Sequence, residues 1–141
     1  MELNYPDELI RGIANRDYID NEERASASMF QFDDSIRLDG FQELSINWYD
    51  DENALKQTLN QRKKSDENEY QFKAGAAILS RSRLDSLIHS PYTKGALTYE
   101  RRIVEGNPYH GNILLKSSIT KQIKRVFSAS LAMCIEKIVY R

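Results

Sequence analysis

The sequence has few of the residues that build metal sites and disulfides. Its 141 residues include one cysteine, Cys134, and two histidines, His89 and His110. A single cysteine excludes an intrachain disulfide framework and a zinc site built from cysteines. The two histidines lie apart without metal-ligand spacing, so no metal site is predicted. Cys134 lies in an apolar run, which predicts a small buried side chain and not a reactive thiol.

Long hydrophobic runs and known cofactor motifs are also missing. No apolar run approaches the roughly 18 residues that a helix needs to cross a bilayer, and the first residues lack the basic and apolar regions of a signal peptide. The sequence contains no Walker loop, dinucleotide fingerprint, GxSxG elbow, HExxH helix or EF-hand spacing. We therefore expect a cytoplasmic protein with no membrane contact and no recognisable cofactor.

The composition predicts a folded chain. Hydrophobic residues make up 40% of the sequence, with eight tyrosines and five phenylalanines, although the mean hydropathy is −0.62. A chain of this length can bury a core without metals or disulfides. We predict one domain that spans residues 1–141.

Charge is divided unequally between the two parts of the chain. Residues 1–60 contain 14 acidic and five basic side chains, a net charge of −9, and residues 61–141 contain 15 basic and seven acidic side chains, a net charge of +8. The value of −1 for the whole chain hides this division. Such a chain either folds one part against the other or presents one sign of charge to a partner.

The hydrophobic pattern predicts an α+β fold. Alternating apolar and polar residues indicate strands, and apolar residues three and four apart indicate helices. Strands are predicted at 26–32, 44–48, 70–78 and 97–104, with short apolar segments at 8–13 (strand or helical turn) and 111–115. Helices are predicted at 51–64, after a cap at Ser80 or Ser82, and from a cap at Ser117 or Ser118 through Ile138. The expected architecture is a mixed or antiparallel sheet covered by a long C-terminal amphipathic helix.

The loop at 105–112 is the strongest local candidate for chemistry. Two glycines and a proline force a tight path there, and the same loop contains Tyr109 and His110. His110 could act as a general acid or base, because the ordinary pKa of histidine lies near neutrality. The alternative is that both side chains only pack and form hydrogen bonds within a turn.

A second candidate is electrostatic. No acidic residue occurs from Gly106 to Ile135, and four basic residues lie around the start of the last predicted helix. These residues are Lys116, Lys121, Lys124 and Arg125. Cations near a helix N-terminus oppose the helix dipole, so they do not stabilise the helix. Together with Arg101 they suit a phosphate or an acidic partner, and the alternative is a solvated basic helix face.

Several short motifs resemble those of a group of bacterial proteins. The chain has Leu-Ile-Arg-Gly-Ile at 9–13, Arg-Ala-Ser-Ala-Ser-Met-Phe at 24–30, Leu-Ser at 44–45 and His-Gly at 110–111. This layout resembles short, uncharacterised bacterial proteins that are often encoded in mobile or defence-type neighbourhoods. Those proteins have two arginines where this chain has Arg-Gly. The resemblance implies a shared polar site made of Arg11, Ser26, Ser28, Ser45 and His110.

Two functions follow as hypotheses. The first is a small bacterial accessory protein that docks on a larger partner. Its basic C-terminal half would contact nucleic acid or an acidic protein, while its acidic half would meet a basic surface of a partner or of another copy in a homo-oligomer. The second is an enzyme that acts on a nucleotide or RNA. In that enzyme His110 would be the acid or base, Arg11 or Arg101 would hold a phosphate, and Ser45 or Tyr109 would orient the substrate.

Overall fold

The structure, a computed structural model, describes residues 4–20, 24 and 26–141. Within these residues it contains six strands in one sheet and three α-helices. In chain order they are β1 (Glu8–Ile13), β2 (Phe41–Trp48), α1 (Glu52–Asn60), β3 (Gly75–Ser80), α2 (Arg81–Ile88), β4 (Leu97–Arg101), β5 (His110–Lys116), α3 (Lys121–Ala132) and β6 (Ile135–Tyr140). Short 3₁₀ turns cover Arg16–Tyr18 and Ala27–Met29. The α+β class predicted from the sequence is confirmed.

The sheet is antiparallel throughout, in the order β4-β5-β2-β1-β3-β6. Its two central strands, β1 and β2, pair over only two positions, Leu9 with Trp48 and Ile10 with Asn47. By contrast, β1 pairs with β3 over six positions, and β2 pairs with β5 over seven. The ladder between β1 and β2 therefore stops after Ile10, and the two strands part in the middle of the sheet.

One face of the sheet carries the main core. The alternation of β2 directs Leu44, Ile46 and Trp48 onto this face, where all three are buried. Phe127 and Leu131 of α3 belong to the same cluster, together with Phe30 and Leu84. Phe127 was on the apolar side that the helical spacing predicted, but Ile123 and Val126 of that side are exposed and Leu131 is buried instead.

The opposite face is covered only in part. Helix α1 packs over β1 and β3, where its Ala54 joins a small cluster with Ile10, Ala76 and Ile78. The remaining area, over β2, β5 and β4, presents the polar residues that alternate with the core positions. In the strand register Ser45 lies opposite Asn112, and Asn47 lies opposite His110. Ser45 and Asn47 follow Glu43 along β2, and together with Asn112 and His110 of β5 they form the floor of the cleft described below.

The prediction of a long C-terminal helix is wrong. Helix α3 is 12 residues long, begins after a cap at Thr120 and ends at Ala132. The chain then turns at Met133 and Cys134, and β6 pairs with β3 at the sheet edge. Ile135, Ile138 and Val139 are β-branched, which favours a strand, and β3 offers an unpaired edge that a helix could not use.

The other expected elements are closer to the structure. The predicted strand at 26–32 is wrong, because Ala27–Met29 form a 3₁₀ turn capped by the Ser26 hydroxyl. The strand predicted at 44–48 lies within β2, and the helix predicted at 51–64 is α1, which ends earlier, at Asn60. Of the two caps expected for α2, the one at Ser80 is confirmed. Cys134 is buried, and burial raises the pKa of its thiol to about 11, which agrees with a packing role. No helix among the described residues is both long and apolar enough to cross a bilayer.

Candidate functional site

Three of the residues proposed from the sequence line one cleft. Arg11, Ser45 and His110 are shared by two adjoining cavities of about 1510 Å³ and 430 Å³ on the polar part of the second face. Ser28 lines the larger cavity. Ser26 does not line either cavity, because its hydroxyl caps the 3₁₀ turn and accepts from the backbone N–H of Ser28 at 3.1 Å.

Arg11 fills the gap where β1 and β2 part. Its Nη1 donates to the carbonyl oxygen of Ser45 in β2 at 2.7 Å, and its Nε donates to the carbonyl of Met29 at 3.2 Å. The guanidinium thus satisfies carbonyl groups of the surrounding chain at the point where the ladder has stopped. This arrangement positions Arg11 firmly and joins β1, β2 and the turn at Ala27–Met29.

Arg11 carries a positive charge that has no counter-ion among the described residues. Among the described residues no carboxylate forms an ion pair with it. Burial lowers the pKa of the guanidinium to about 10, and the phenol of Tyr18 acts weakly in the opposite direction. Arg11 therefore stays protonated at neutral pH, and the third guanidinium nitrogen, Nη2, has no acceptor among the described residues.

His110 is held in one tautomer by the backbone. Its Nδ1 lies 2.8 Å from the carbonyl oxygen of Arg102. A carbonyl can only accept, so Nδ1 carries the proton and Nε2 of the neutral ring keeps its lone pair. Nε2 has no partner among the described residues. The half-buried ring thus presents one free nitrogen that can accept a proton or a hydrogen bond.

A chain of amides fixes the loop that carries His110. The Asn107 side chain donates to Oδ1 of Asn47 at 2.8 Å and accepts from the backbone N–H of Tyr109 at 3.0 Å. Asn47 in turn donates to the hydroxyl of Thr58 in α1 at 2.7 Å. This network ties α1, β2 and the loop together, so the cleft wall is preorganised.

A carboxamide and two carboxylates close one end of the polar face, and the sequence patterns did not single them out. Asn112 is buried and donates to Glu43 at 2.7 Å and to Glu100 at 2.9 Å, and Arg37 donates to Glu100 at 2.8 Å. Burial alone would raise the pKa of Glu100, but the hydrogen bonds from Asn112 and Arg37 outweigh it, and the net pKa is lowered. The sequence signal that could have identified this cluster is Asn112, a polar residue in the middle of an apolar strand.

Two residues proposed for catalysis or phosphate binding are engaged elsewhere. Tyr109 donates from its hydroxyl to Asp51 at 3.0 Å and packs against the small cluster under α1. Arg101 binds both carboxylate oxygens of Asp50, each at 2.7 Å. Neither side chain lines the cleft. Tyr109 was proposed because it neighbours His110 in sequence, and Arg101 because it belongs to the basic part of the chain, but their side chains bind Asp51 and Asp50 instead.

The other basic residues proposed for binding lie on a separate surface, at the end of β5 and on α3. Lys116, Lys121 and Arg125 are exposed and form no ion pair with a described carboxylate. Lys124 is half-buried and donates to the side chain of Gln42. We call Lys116, Lys121, Lys124 and Arg125, with the neighbouring exposed Ile123 and Val126, the α3 surface.

Some acidic side chains of residues 1–60 pair with basic side chains of residues 61–141 inside the fold. Asp50 pairs with Arg101, and Asp7 lies 3.7 Å from Arg81, so carboxylates of the acidic part meet cations of the basic part. Glu22 and Glu23 of the acidic part lie outside the described residues. No group of three or more His, Cys, Asp or Glu side chains within the described part of the chain is arranged to hold a metal ion.

Comparison with known proteins adds no relative to this description. No family model matches the chain, and no match was found among the curated proteins or the solved structures. The fold and the two surfaces define a small α+β protein with an antiparallel sheet, a polar cleft over β2 and β5, and an exposed basic helix.

Proposed function

We propose that this is a small bacterial accessory protein that docks through its α3 surface on an acidic surface of a larger protein. The observation that carries the proposal is a set of exposed cations that pair with no carboxylate among the described residues, on and next to a helix that also has exposed apolar side chains. Lys116, Lys121 and Arg125 supply the charge, and Ile123 and Val126, 46% and 42% exposed, supply the apolar contacts.

The placement of the cations supports a role in binding. Lys121 and Arg125 lie four residues apart in α3, on neighbouring turns of one side of the helix. Positive charge near the N-terminal end of a helix interacts unfavourably with the helix dipole. The stretch from Gly106 to Ile135 contains no acidic residue that could neutralise them locally. Their positive field is therefore directed outward, where it would attract an acidic partner.

The apolar neighbours favour a protein partner over nucleic acid. Nucleic-acid interfaces are dominated by contacts with phosphates and sugars, whereas protein interfaces have an apolar centre within a polar rim. Ile123 and Val126, one turn apart, with Met133 beyond the helix end at 78% exposure, would provide such a centre. The cations would form its rim.

Synthetic polymers of defined charge test this proposal directly. Fluorescence anisotropy would measure binding of labelled poly-glutamate, a glutamate–tyrosine copolymer and single-stranded polyuridylate at several salt concentrations. We expect the copolymer to bind more tightly than poly-glutamate, because its rings can contact Ile123 and Val126. Lys121→Glu/Arg125→Glu should raise the dissociation constant for the copolymer at least about tenfold.

A matched variant controls for net charge. Lys56→Glu/Lys137→Glu makes the same charge change at exposed positions on α1 and β6 and should leave binding within about threefold. An equal loss in both variants would show attraction to net charge alone and would overturn the proposal. Tighter binding of polyuridylate than of the copolymer at equal salt would also overturn it, in favour of nucleic acid.

A further inference from the structure

The cleft contains a half-buried arginine, Arg11, that pairs with no carboxylate among the described residues. The half-buried arginines Arg37, Arg81 and Arg101 each pair with at least one carboxylate, at 2.7 to 3.0 Å in the shortest contact. Arg11 is half-buried as they are, but it pairs with none of the described carboxylates. A charge that is partly removed from water and has no counter-ion is costly, and a bound anion would supply the opposite charge.

The free nitrogen of Arg11 is accessible from the cleft. Among the described residues no fully buried side-chain nitrogen or oxygen lacks a hydrogen-bond partner. Nη2 of Arg11 has no partner, so it must be exposed to solvent, and the cavities that Arg11 lines are the space beside it. Ser45, which is exposed, and His110 line the same two cavities. An anion there could accept from Nη2 and Ser45.

The remaining walls suit a planar, polar group. The rings of Phe72 and Tyr18 line the larger cavity, together with the amides of Gln57 and Gln71. Phe72 lies so close to Gly12 that a Cβ at that position would be 2.3 Å from its ring. Because Gly12 has no side chain, the Phe72 ring packs directly against β1 at this position. Aromatic faces and amides are the groups that hold bases of nucleotides, and a volume of about 1510 Å³ is more than a lone phosphate needs.

We propose that this cleft is a nucleotide-binding site, in which Arg11 and Ser45 hold a phosphate and the wall that contains Phe72 and Tyr18 holds the base. His110 borders the phosphate position, and Nε2 of the neutral ring would accept a hydrogen bond from a ribose hydroxyl. The site is separate from the α3 surface, since Lys116, Lys121, Lys124 and Arg125 do not line either cavity. It adds a small-molecule ligand to a protein whose proposed partner is another protein.

Isothermal titration calorimetry on the full chain tests the site. The probes are the four common ribonucleoside monophosphates and triphosphates, adenosine and inorganic phosphate. We expect at least one nucleotide to bind, with adenosine and inorganic phosphate each at least about tenfold weaker. Phosphate that binds as tightly as the nucleotides would indicate a simple anion site. Adenosine that binds as tightly would exclude phosphate recognition by Arg11, and no nucleotide binding at millimolar concentration would exclude the site. Each of these three results overturns the proposal.

The decisive variant is Ser45→Asp, because Arg11→Gln would also release the carbonyls of Ser45 and Met29 and could unfold the chain. Ser45 is exposed, and a carboxylate there would supply Arg11 with a counter-ion from within the protein. We expect Ser45→Asp to fold, as judged by circular dichroism, and to weaken nucleotide binding at least about tenfold.

Ser82→Asp on α2 adds the same charge at an exposed position outside both cavities and should bind as the parent chain does. A folded Ser45→Asp with parental affinity would overturn the proposal. Lys121→Glu/Arg125→Glu should retain nucleotide binding, so failure of the nucleotide site and failure of the docking proposal can be told apart.

Discussion

Arg101 and Asp50 form a bidentate ion pair, with both nitrogen–oxygen distances at 2.7 Å, across 51 residues of sequence. Hydrogen bonding to the Asp50 carboxylate is the main cause that raises the pKa of Arg101. The pair joins the end of β4 to the segment before α1. It shows that opposite charges of the two parts of the chain meet within one molecule at this point.

The first prediction concerns the energy of that pair. A double-mutant cycle with Asp50→Asn and Arg101→Gln should give a coupling free energy of about 1 kcal/mol, because the pair is bidentate but partly exposed. Urea unfolding followed by circular dichroism would measure it. Arg101→Gln should leave copolymer and nucleotide binding unchanged. If the variant lost copolymer binding or nucleotide binding, Arg101 would be a binding residue after all.

The second prediction concerns Gly111. A Cβ built at this position would lie 2.3 Å from Nε1 of Trp48 and 2.4 Å from the carbonyl oxygen of Glu100. Gly111→Ala should therefore displace the Trp48 indole from its hydrogen bond with that carbonyl and destabilise the protein by roughly 3 kcal/mol. The measurements are urea unfolding and the tryptophan emission maximum. Gly106→Ala, which has open space but a φ of +80°, should cost only about 1 kcal/mol. Equal losses at both positions would contradict the steric explanation.

The third prediction concerns the tautomer of His110. Because Nδ1 donates to the carbonyl of Arg102, the neutral ring should carry its proton on Nδ1. Long-range proton–nitrogen correlation spectra would assign a protonated Nδ1 and an unprotonated Nε2 at alkaline pH, with His89→Gln used to identify the His110 signals. A proton on Nε2 would show that the ring does not make this hydrogen bond.

The tautomer also bears on the alternative function, an enzyme that acts on a nucleotide or RNA with His110 as acid or base. That function needs Nε2 to be free to accept a proton from a bound group. His110→Gln should then abolish turnover of the bound nucleotide or of RNA while the fold is retained. Turnover that persists in this variant would exclude His110 as the catalytic group.

The fourth prediction concerns acid stability. The folded pKa of Glu100 lies below its ordinary value of 4.5, so the ionised form is favoured in the fold. The resulting stability is present above that pH and is lost as the pH falls through the lowered pKa. In urea titrations at successive pH values, Glu100→Gln should therefore lose less unfolding free energy below pH 4.5 than the parent chain. Glu105→Gln, at an exposed position, is the control. An unchanged pH profile in Glu100→Gln would contradict the assignment.

Local signals were sufficient where neighbours in sequence determine the structure. The alternation of Leu44, Ile46 and Trp48 with polar residues predicted β2, because a strand turns successive side chains to opposite faces. Asp51 and Ser80 were suitable helix caps, since their side chains accept from backbone N–H groups of the following turn. The same signals did not determine the secondary structure of residues 135–140. Their apolar spacing fits a helix, and only the free edge of β3 makes them a strand.

The sequence by itself determined the α+β class, the cap of α2 at Ser80 and the basic, acid-free stretch before residue 136, because composition and periodicity act over a few residues. It did not determine the cap of α3, which is Thr120 and not the predicted Ser117 or Ser118. It also singled out Arg11, Ser45 and His110, but as separate motifs. Only the tertiary structure decided that these three share a cleft and that Tyr109 and Arg101 do not. The reason is strand register: β2 pairs with β5 so that Asn47 faces His110, and β1 parts from β2 at Arg11. Such pairings depend on contacts between distant residues, which no local pattern contains.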